Sequence, residues 1–321
     1  MAHRMLLALA CLSVSADQAP AQSDYPSRPV RIVVPSPGGG GTDIIARALA
    51  QHLSKAMGQQ FYVENRSGAG NMIGIESVAR AAPDGATLLF VPSTLALNSV
   101  LYKKVTYDPV RDFAPITLAA TTSNVLVVNT SLPVKSLADL IALAKQKPGE
   151  LTYGTPGIGT SPHMSMELLK SMAGIDLRHI PYRGTAPAVT DVISGQIAVT
   201  FANALTARPQ VESGNVRALA VSGPKRIEAL PDIPPVAEAG VPGYEAMQWY
   251  GLLAPAGTPP EILTRLHAEV MQALGTADMK EKLATDGAEA VGTTSAAFAA
   301  FITSELTKWT KVARAANIQP Q

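Results

Sequence analysis

Cysteine is nearly absent. Cys11 is the only one in 321 residues, which excludes an internal disulfide framework and any thiolate metal cluster. Charge is sparse too, at 16% of residues and a net +1, so the chain lacks the basic surface that nucleic acid or another polyanion requires. Aromatics make up 5% and there are five histidines; no His-x-x-x-His pair and no Gly-x-Ser-x-Gly elbow occurs, leaving no ready metal set or nucleophile turn. Beyond the N-terminus no apolar run approaches the ~20 residues of a membrane span, and no tandem repeat of solenoid length is present.

What is there begins with a leader. His3 and Arg4 precede an apolar stretch at 5–14 and an Ala19-Pro20-Ala21 small-x-small site, the order of a secretory signal peptide. Residues 1–21 are expected to be removed, with the mature chain starting near Gln22 and Cys11 lost. Ala8-Leu9-Ala10 before Cys11 sets Leu one place late for a lipidation signal. Export without disulfides or a second span predicts a soluble protein of the periplasm. With 25 Gly and 25 Pro against 47% hydrophobic residues, the rest reads as compact and loop-punctuated, and long enough for two domains.

The most informative segments are PSPGGGGTD at 35–43 and GTPGIGTSPH at 154–163. Each joins a strand-like run (31–34, 151–153) to a helix-like stretch (44–57, 164–172). A glycine-rich turn at that junction exposes unpaired N–H groups and the positive end of a helix. Two such ends facing one another would hold a small anion. Neither loop carries Lys or Arg before its helix begins, which favours a carboxylate over a phosphate. The run 38–41 reads as a ligand approach, since a turn alone needs one or two glycines. Thr42 is expected to cap the first helix, Asp43 and Arg47 to form a surface i,i+4 pair, and Thr160 or Ser161 to cap the second helix. His163 reads as a hydrogen-bonding support for its loop.

Strands and helices alternate: strands at 30–34, 61–64 and 87–91 with helices at 44–57 and 73–81, then a second cycle from 125–129 through helix 136–147, strand 151–153, strand 176–180, helix 186–194 and strands 197–201 and 216–221. A Pro/Gly-rich return covers 230–244, a strand 249–254, and helices 260–273, 277–286 and 295–315. This predicts an α/β protein of two lobes, each a mixed, mostly parallel sheet flanked by helices: lobe 1 from 22–122 and 249–321, lobe 2 from 123–248. A third strand–helix junction, IPYRGTA at 180–186, offers Arg183 as a cation for a ligand's remote carboxylate and Tyr182 as a wall or hydroxyl. Asn203, Ser93 and Thr94 end strands where open α/β sheets place ligands.

Rival readings are weaker. As a dinucleotide fingerprint with Glu64 on the ribose, the first loop fails at the third glycine position, which Asp43 or Ile44 occupies. His163 with Glu167 lacks further metal ligands, and Ser161 with His163 diverge from a helix start.

Three stretches, VVPSPGGGGTDIIAR (33–47), YGTPGIGTSPHMSME (153–167) and HIPYRGTAPAVTDVISGQIAVTFAN (179–203), with YPSRP (25–29) and NRSGAGNMIGI (65–75), resemble the Bug-type receptors of tripartite tricarboxylate transporters across the mature chain. The resemblance implies a Venus-flytrap periplasmic solute-binding protein. It would be a monomer without cofactor or catalysis, clamping a small mono- or dicarboxylate between one loop per lobe and delivering it to membrane permease subunits. The matching ligand positions are Ser36, Gly39, Gly40, Thr42 and Asp43 in the first loop and Thr155, Gly159, Thr160, Ser161 and His163 in the second. Ser36 stands where an aromatic is frequent, and Ala198 and Ala202 where aspartates are frequent, which turns the expectation from amino acids toward plain, including aromatic, carboxylates. A sensor binding protein feeding a kinase, or an exported α/β enzyme, are the alternatives. A hinge is expected near 119–125 and 246–251.

Overall fold

The computed structural model describes residues 25–285, 287–315, 318 and 320. The expected leader, with Cys11, lies outside the described residues.

Val30–Val34 (β1) is a β-branched run whose alternate side chains are buried on both faces, as in a parallel strand covered on both sides. It pairs in parallel with Phe61–Asn65 (β2) and Thr87–Pro92 (β3). Gly41–Met57 (α1) lies between β1 and β2, and Met72–Ala79 (α2) between β2 and β3. Thr94–Leu101 (α3) follows β3. The 17-residue strand Phe113–Asn129 (β4) then runs through two sheets. Its first part pairs with Met247–Pro255 (β9) and with Ala288–Ala290 (β10); from Asn124 onward it pairs with Val199–Asn203 (β7) and Val216–Val221 (β8).

The second sheet continues from β7 through Thr152–Thr155 (β5) to Arg178–Pro181 (β6), all parallel. Its helices are Leu137–Gln146 (α4), Ser161–Ala173 (α5), Thr185–Ser194 (α6) and Ala204–Glu212 (α7). The chain ends in Pro260–Gly275 (α8), Ala277–Thr285 (α9) and Ser295–Ala315 (α10). The fold is thus α/β, with most strands of each sheet running one way and helices on both faces.

The pairings fix a direction. Two antiparallel steps through β9 make β4 run with β3 and β1. One antiparallel step to β7 makes β5, β6 and β7 run against β4. The C-terminal edges of the parallel strands in the two sheets therefore point toward each other, meeting where β4 changes partners at Ser123 and Asn124.

Each sheet has an apolar cluster on either face. In the first, Ile45, Leu49, Leu266 and Leu283 of α1, α8 and α9 cover Ile32 and Phe90, while Ile75, Leu95 and Phe298 cover Val33, Leu89 and Trp249. In the second, Leu140 and Met164 cover Leu126 and Phe201, while Val189, Val192 and Ala207 cover Val125 and Val127. Leu97 and Leu101 of α3 and Trp309 of α10 join the cluster around Met164 and Tyr153, so these two helices pack across from one sheet to the other. Trp249 and Trp309 both donate to the buried Glu305 carboxylate, at 3.1 and 2.9 Å, which seats α10.

Four elements go beyond the sequence expectation: α3, the first part of β4, α7 and β10. Helix α7 carries an internal proline, Pro209, and β10 is three residues long.

Candidate functional site

The opposed edges carry both glycine loops. On the first edge, Gly40 is the N-cap of α1 and no side chain caps the helix; Thr42 sits inside the first turn, correcting its expected capping role. Asp43 is not a surface partner either. It is 4% exposed. Its Oδ2 accepts the Gly39 N–H at 2.9 Å and Arg47 Nε at 2.9 Å, and its Oδ1 accepts Asn65 Nδ2 at 2.9 Å. Burial alone would raise its pKa, but the bonds from Arg47, Gly39 and Asn65 outweigh it and hold the carboxyl below its ordinary range. Asn65 also donates to Ser36 O at 3.0 Å. Gly38 and Gly40 are exposed and Ser36 half-buried. The N–H groups of Gly41 and Thr42, in the first turn of α1, have no acceptor among the described residues.

Behind this loop the chain packs tightly. A Cβ on Gly74 would lie 2.6 Å from Arg66 O and 2.7 Å from Pro35 Cα, so only glycine lets α2 approach the end of β1. The turn that follows β2 is tied to α3: Asn71 donates to Thr94 Oγ1 at 2.9 Å and Asn98 to Gly70 O at 2.7 Å. Ser93 is buried and caps nothing with its side chain.

On the second edge, Thr160 is the N-cap of α5, yet its hydroxyl donates to Gly157 O at 2.8 Å, and the Ser161 hydroxyl accepts from Asn124 at 2.9 Å. Neither caps the helix by its side chain, a second correction. His163 is 5% exposed, and its Nδ1 accepts the Gly159 N–H at 3.4 Å. The Ser161 and His163 N–H groups, in the first turn of α5, have no acceptor among the described residues. Beneath the loop lies a stack. His179 is 4.8 Å from Tyr153 and 4.5 Å from His163 between ring centroids, and His179 Nε2 is 2.6 Å from Thr155 Oγ1. Tyr153 donates to Glu167, which also accepts Lys170 Nζ at 2.9 Å. Burial, with His179 and Lys170 nearby, pushes His163 down to about 3, and His179 is lowered by burial as well.

At the third junction Arg183 is exposed and has no ion-pair partner among the described residues. The Tyr182 hydroxyl donates to Asp191 at 2.7 Å, which removes it as a ligand donor; burial and that carboxylate raise it to about 12. The Asn203 side chain accepts from Thr206 N at 2.9 Å and caps α7. Ala202 lies in the apolar cluster of Val125, Val189 and Ala207.

The two edges touch through α3: a Cβ on Gly159 would lie 2.9 Å from Leu101 Cδ1. Ser36, Gly39, Gly40, Thr42 and Asp43 therefore sit on one edge with Ser93 and Thr94. Thr155, Gly159, Thr160, Ser161 and His163 sit on the other with Arg183 and Asn203. Sequence reasoning passed over Asn65, Asn124 and His179, all of which reach the loops through non-local contacts, and Asn98, which ties α3 to the turn after β2. Two surface hollows, one lined by Tyr107, Arg111 and Leu306 and one between α5 and α10, contain none of the loop residues. Among the described residues no helix is long and apolar enough to cross a membrane, and no cluster of His, Cys, Asp and Glu could hold a metal.

Two α/β halves sharing a long strand, with glycine loops on opposed edges, have the architecture of a periplasmic binding protein. The family model described as tripartite tricarboxylate transporter family receptor matches residues 45–318, and the chain belongs to that family. It is 37% identical to Protein BugT of Bordetella pertussis over 299 residues, which is 92% of either chain. Among solved structures it is similar to an R. palustris protein with adipate (40% identity, TM-score 0.81, 93% of this chain and 100% of that one). It is also similar to MatC from Rhodopseudomonas palustris with bound malate (32% identity, TM-score 0.76, 90% and 99%).

Proposed function

We propose that this chain is a periplasmic receptor that captures a small dicarboxylate between two lobes, 22–122 with 249–321 and 123–248, and delivers it to the permease subunits of a tripartite tricarboxylate transporter. The observation that carries the reading is the pair of N–H sets without an acceptor among the described residues, Gly41 with Thr42 and Ser161 with His163, on opposed edges. Each lies at a helix N-terminus, where an anion is stabilised by dipoles without a counter-charge. One ligand carboxylate lies between these sets, with Ser36, Gly40, Thr160 and Ser93 around it. Arg183 meets the remote carboxylate. The adipate and malate of the two similar structures are dicarboxylates, which supports that class.

The protein performs no chemistry on this ligand. A carboxylate bridging both edges gains its contacts only when they are together, so it shifts a hinge equilibrium toward closure. The hinge lies where β4 changes partners and β9 begins, and the closed shape is what the permease reads.

A thermal-shift and calorimetric panel of straight-chain dicarboxylates, malate and the matching monocarboxylates tests this. A dicarboxylate at 100 times its Kd adds about 2.7 kcal/mol to stability and raises Tm by several degrees, and the matching monocarboxylate binds more weakly. No shift from any carboxylate at millimolar concentration would refute the assignment.

A further inference from the structure

The two loops share a device that their sequences conceal. In each, a glycine in the left-handed region, Gly39 at φ 85° and Gly159 at φ 80°, donates its N–H to the side chain four residues on. That side chain is in both cases the third residue of the following helix: Asp43 in α1, which starts at Gly41, and His163 in α5, which starts at Ser161. The acceptor atoms are chemically unlike, a carboxylate oxygen at 2.9 Å and an imidazole nitrogen at 3.4 Å, yet the spacing, the glycine conformation and the place in the helix are the same.

We propose that Asp43 and His163 are matched positioning residues, each drawing its loop glycine's amide inward so that the first amides of the helix remain free and aimed at the ligand. The proposal rests on the carboxylate-receptor reading, and it assigns these two side chains to the loops and not to direct ligand contact. The glycine amide would otherwise compete for the anion in an unfixed orientation; once tied down, it rigidifies the loop and lowers the ordering cost of binding.

The surroundings keep each acceptor able to accept. Asp43 faces Arg47 from its own helix and Asn65 from β2, so its negative charge is balanced before a ligand arrives. His163 faces His179 from β6 and Tyr153 from β5, with Glu167 and Lys170 on its own helix; Glu167 is already engaged by Tyr153 and Lys170, so no free carboxylate stabilises a protonated ring. Acceptance at Nδ1 leaves the ring proton on Nε2. Thr155 holds His179 at 2.6 Å, and His179 in turn fixes the plane of His163.

The test pairs two measurements on the full mature chain. Nitrogen-15 NMR of the histidine rings at pH 6 and 7 should show His163 neutral with its proton on Nε2, with or without ligand; an imidazolium, or a proton on Nδ1, overturns the proposal whatever the protein binds. Calorimetry with adipate as probe should show Asp43→Ala and His163→Ala each weakened about tenfold or more, the loss of one positioning bond. Asp43→Asn and His163→Asn keep an acceptor oxygen near the same place and should return to within about threefold of wild type. Asn variants that fold yet bind about tenfold or more weaker than wild type would refute the acceptor role, a comparison that does not need the Ala variants to fold. If adipate does not bind the wild type, the ligand class is wrong while the ring tautomer still decides the loop geometry.

Discussion

The two loops solve one problem with opposite chemistry. The first places four glycines in a row and fastens them with an ionised carboxylate whose charge Arg47 balances and to which Asn65 donates a hydrogen bond. The second spaces its glycines among Thr, Pro and Ile and fastens them with a neutral imidazole resting on a second imidazole and a tyrosine. The first support is partly open to water, Arg47 being 55% exposed at its side chain; the second is deep in the lobe. What they have in common is that neither sets a net charge against the ligand. On the proposed reading, an anion between them is met by backbone dipoles, with Arg183 as the one cation assigned to it.

The largest expected effect comes from blocking the backbone approach itself. Gly40 has φ −85° and open space where a Cβ would be, so Gly40→Val should fold with a Tm within a few degrees of wild type while losing at least about 100-fold in dicarboxylate affinity, or ~2.7 kcal/mol. Retained micromolar binding in calorimetry would break the comparison at its root, because the first loop would then not touch the ligand.

Next in size is Gly74→Ala, which adds a methyl group against the backbone of Pro35 and Arg66. Overpacking of this kind costs about 1–3 kcal/mol, and chemical denaturation should show it together with weakened binding, since the first loop would be pushed out of place. No loss of stability would mean that the loop is not pinned from behind.

Acid separates the two supports. The native pKa of His163, about 3, lies below the ordinary 6.5, so the unfolded chain takes up its proton first. This group's contribution is full above pH 6.5 and is lost as pH falls from there toward 3, at up to about 1.4 kcal/mol per pH unit. Asp43, held below its ordinary 3.8, keeps its contribution in full down to about that pH and loses it only below, as pH falls toward its own lowered pKa. Denaturation between pH 7 and 5 should therefore fall more steeply for the wild type than for His163→Asn, whereas Asp43→Asn should keep the wild-type slope. Equal slopes for all three would place the acid sensitivity elsewhere.

The smallest effect belongs to Thr155→Val, which deletes the bond to His179. A loss of about 1 kcal/mol in stability with a few-fold weaker binding is expected, and an unchanged affinity would limit His179 to packing.

The loops themselves were legible because a β-branched run, a glycine cluster and an apolar helix period stand next to each other in the chain. Their supports were not. Asp43 and Arg47 read as an ordinary surface pair, since nothing local reveals that Asn65 returns from β2 to close over them. The contact of His163 with His179 exists only because β5 and β6 are neighbours in the sheet. Likewise TLALNSVL at α3 has no strong start signal, and the first part of β4 holds Pro115 and two register shifts, which erase the strand's period. The opposition of the two edges follows from strand directions, a property of the pairings and not of any segment.

The most direct measurement is a crystal structure of the protein with adipate. The account predicts one carboxylate within about 3.2 Å of the Gly41 or Thr42 amide and of the Ser161 or His163 amide at once, with the Gly39 and Gly159 amides still turned to Asp43 and His163. A carboxylate bound away from either helix start, or held by the side chain of Asp43 or His163, would contradict it.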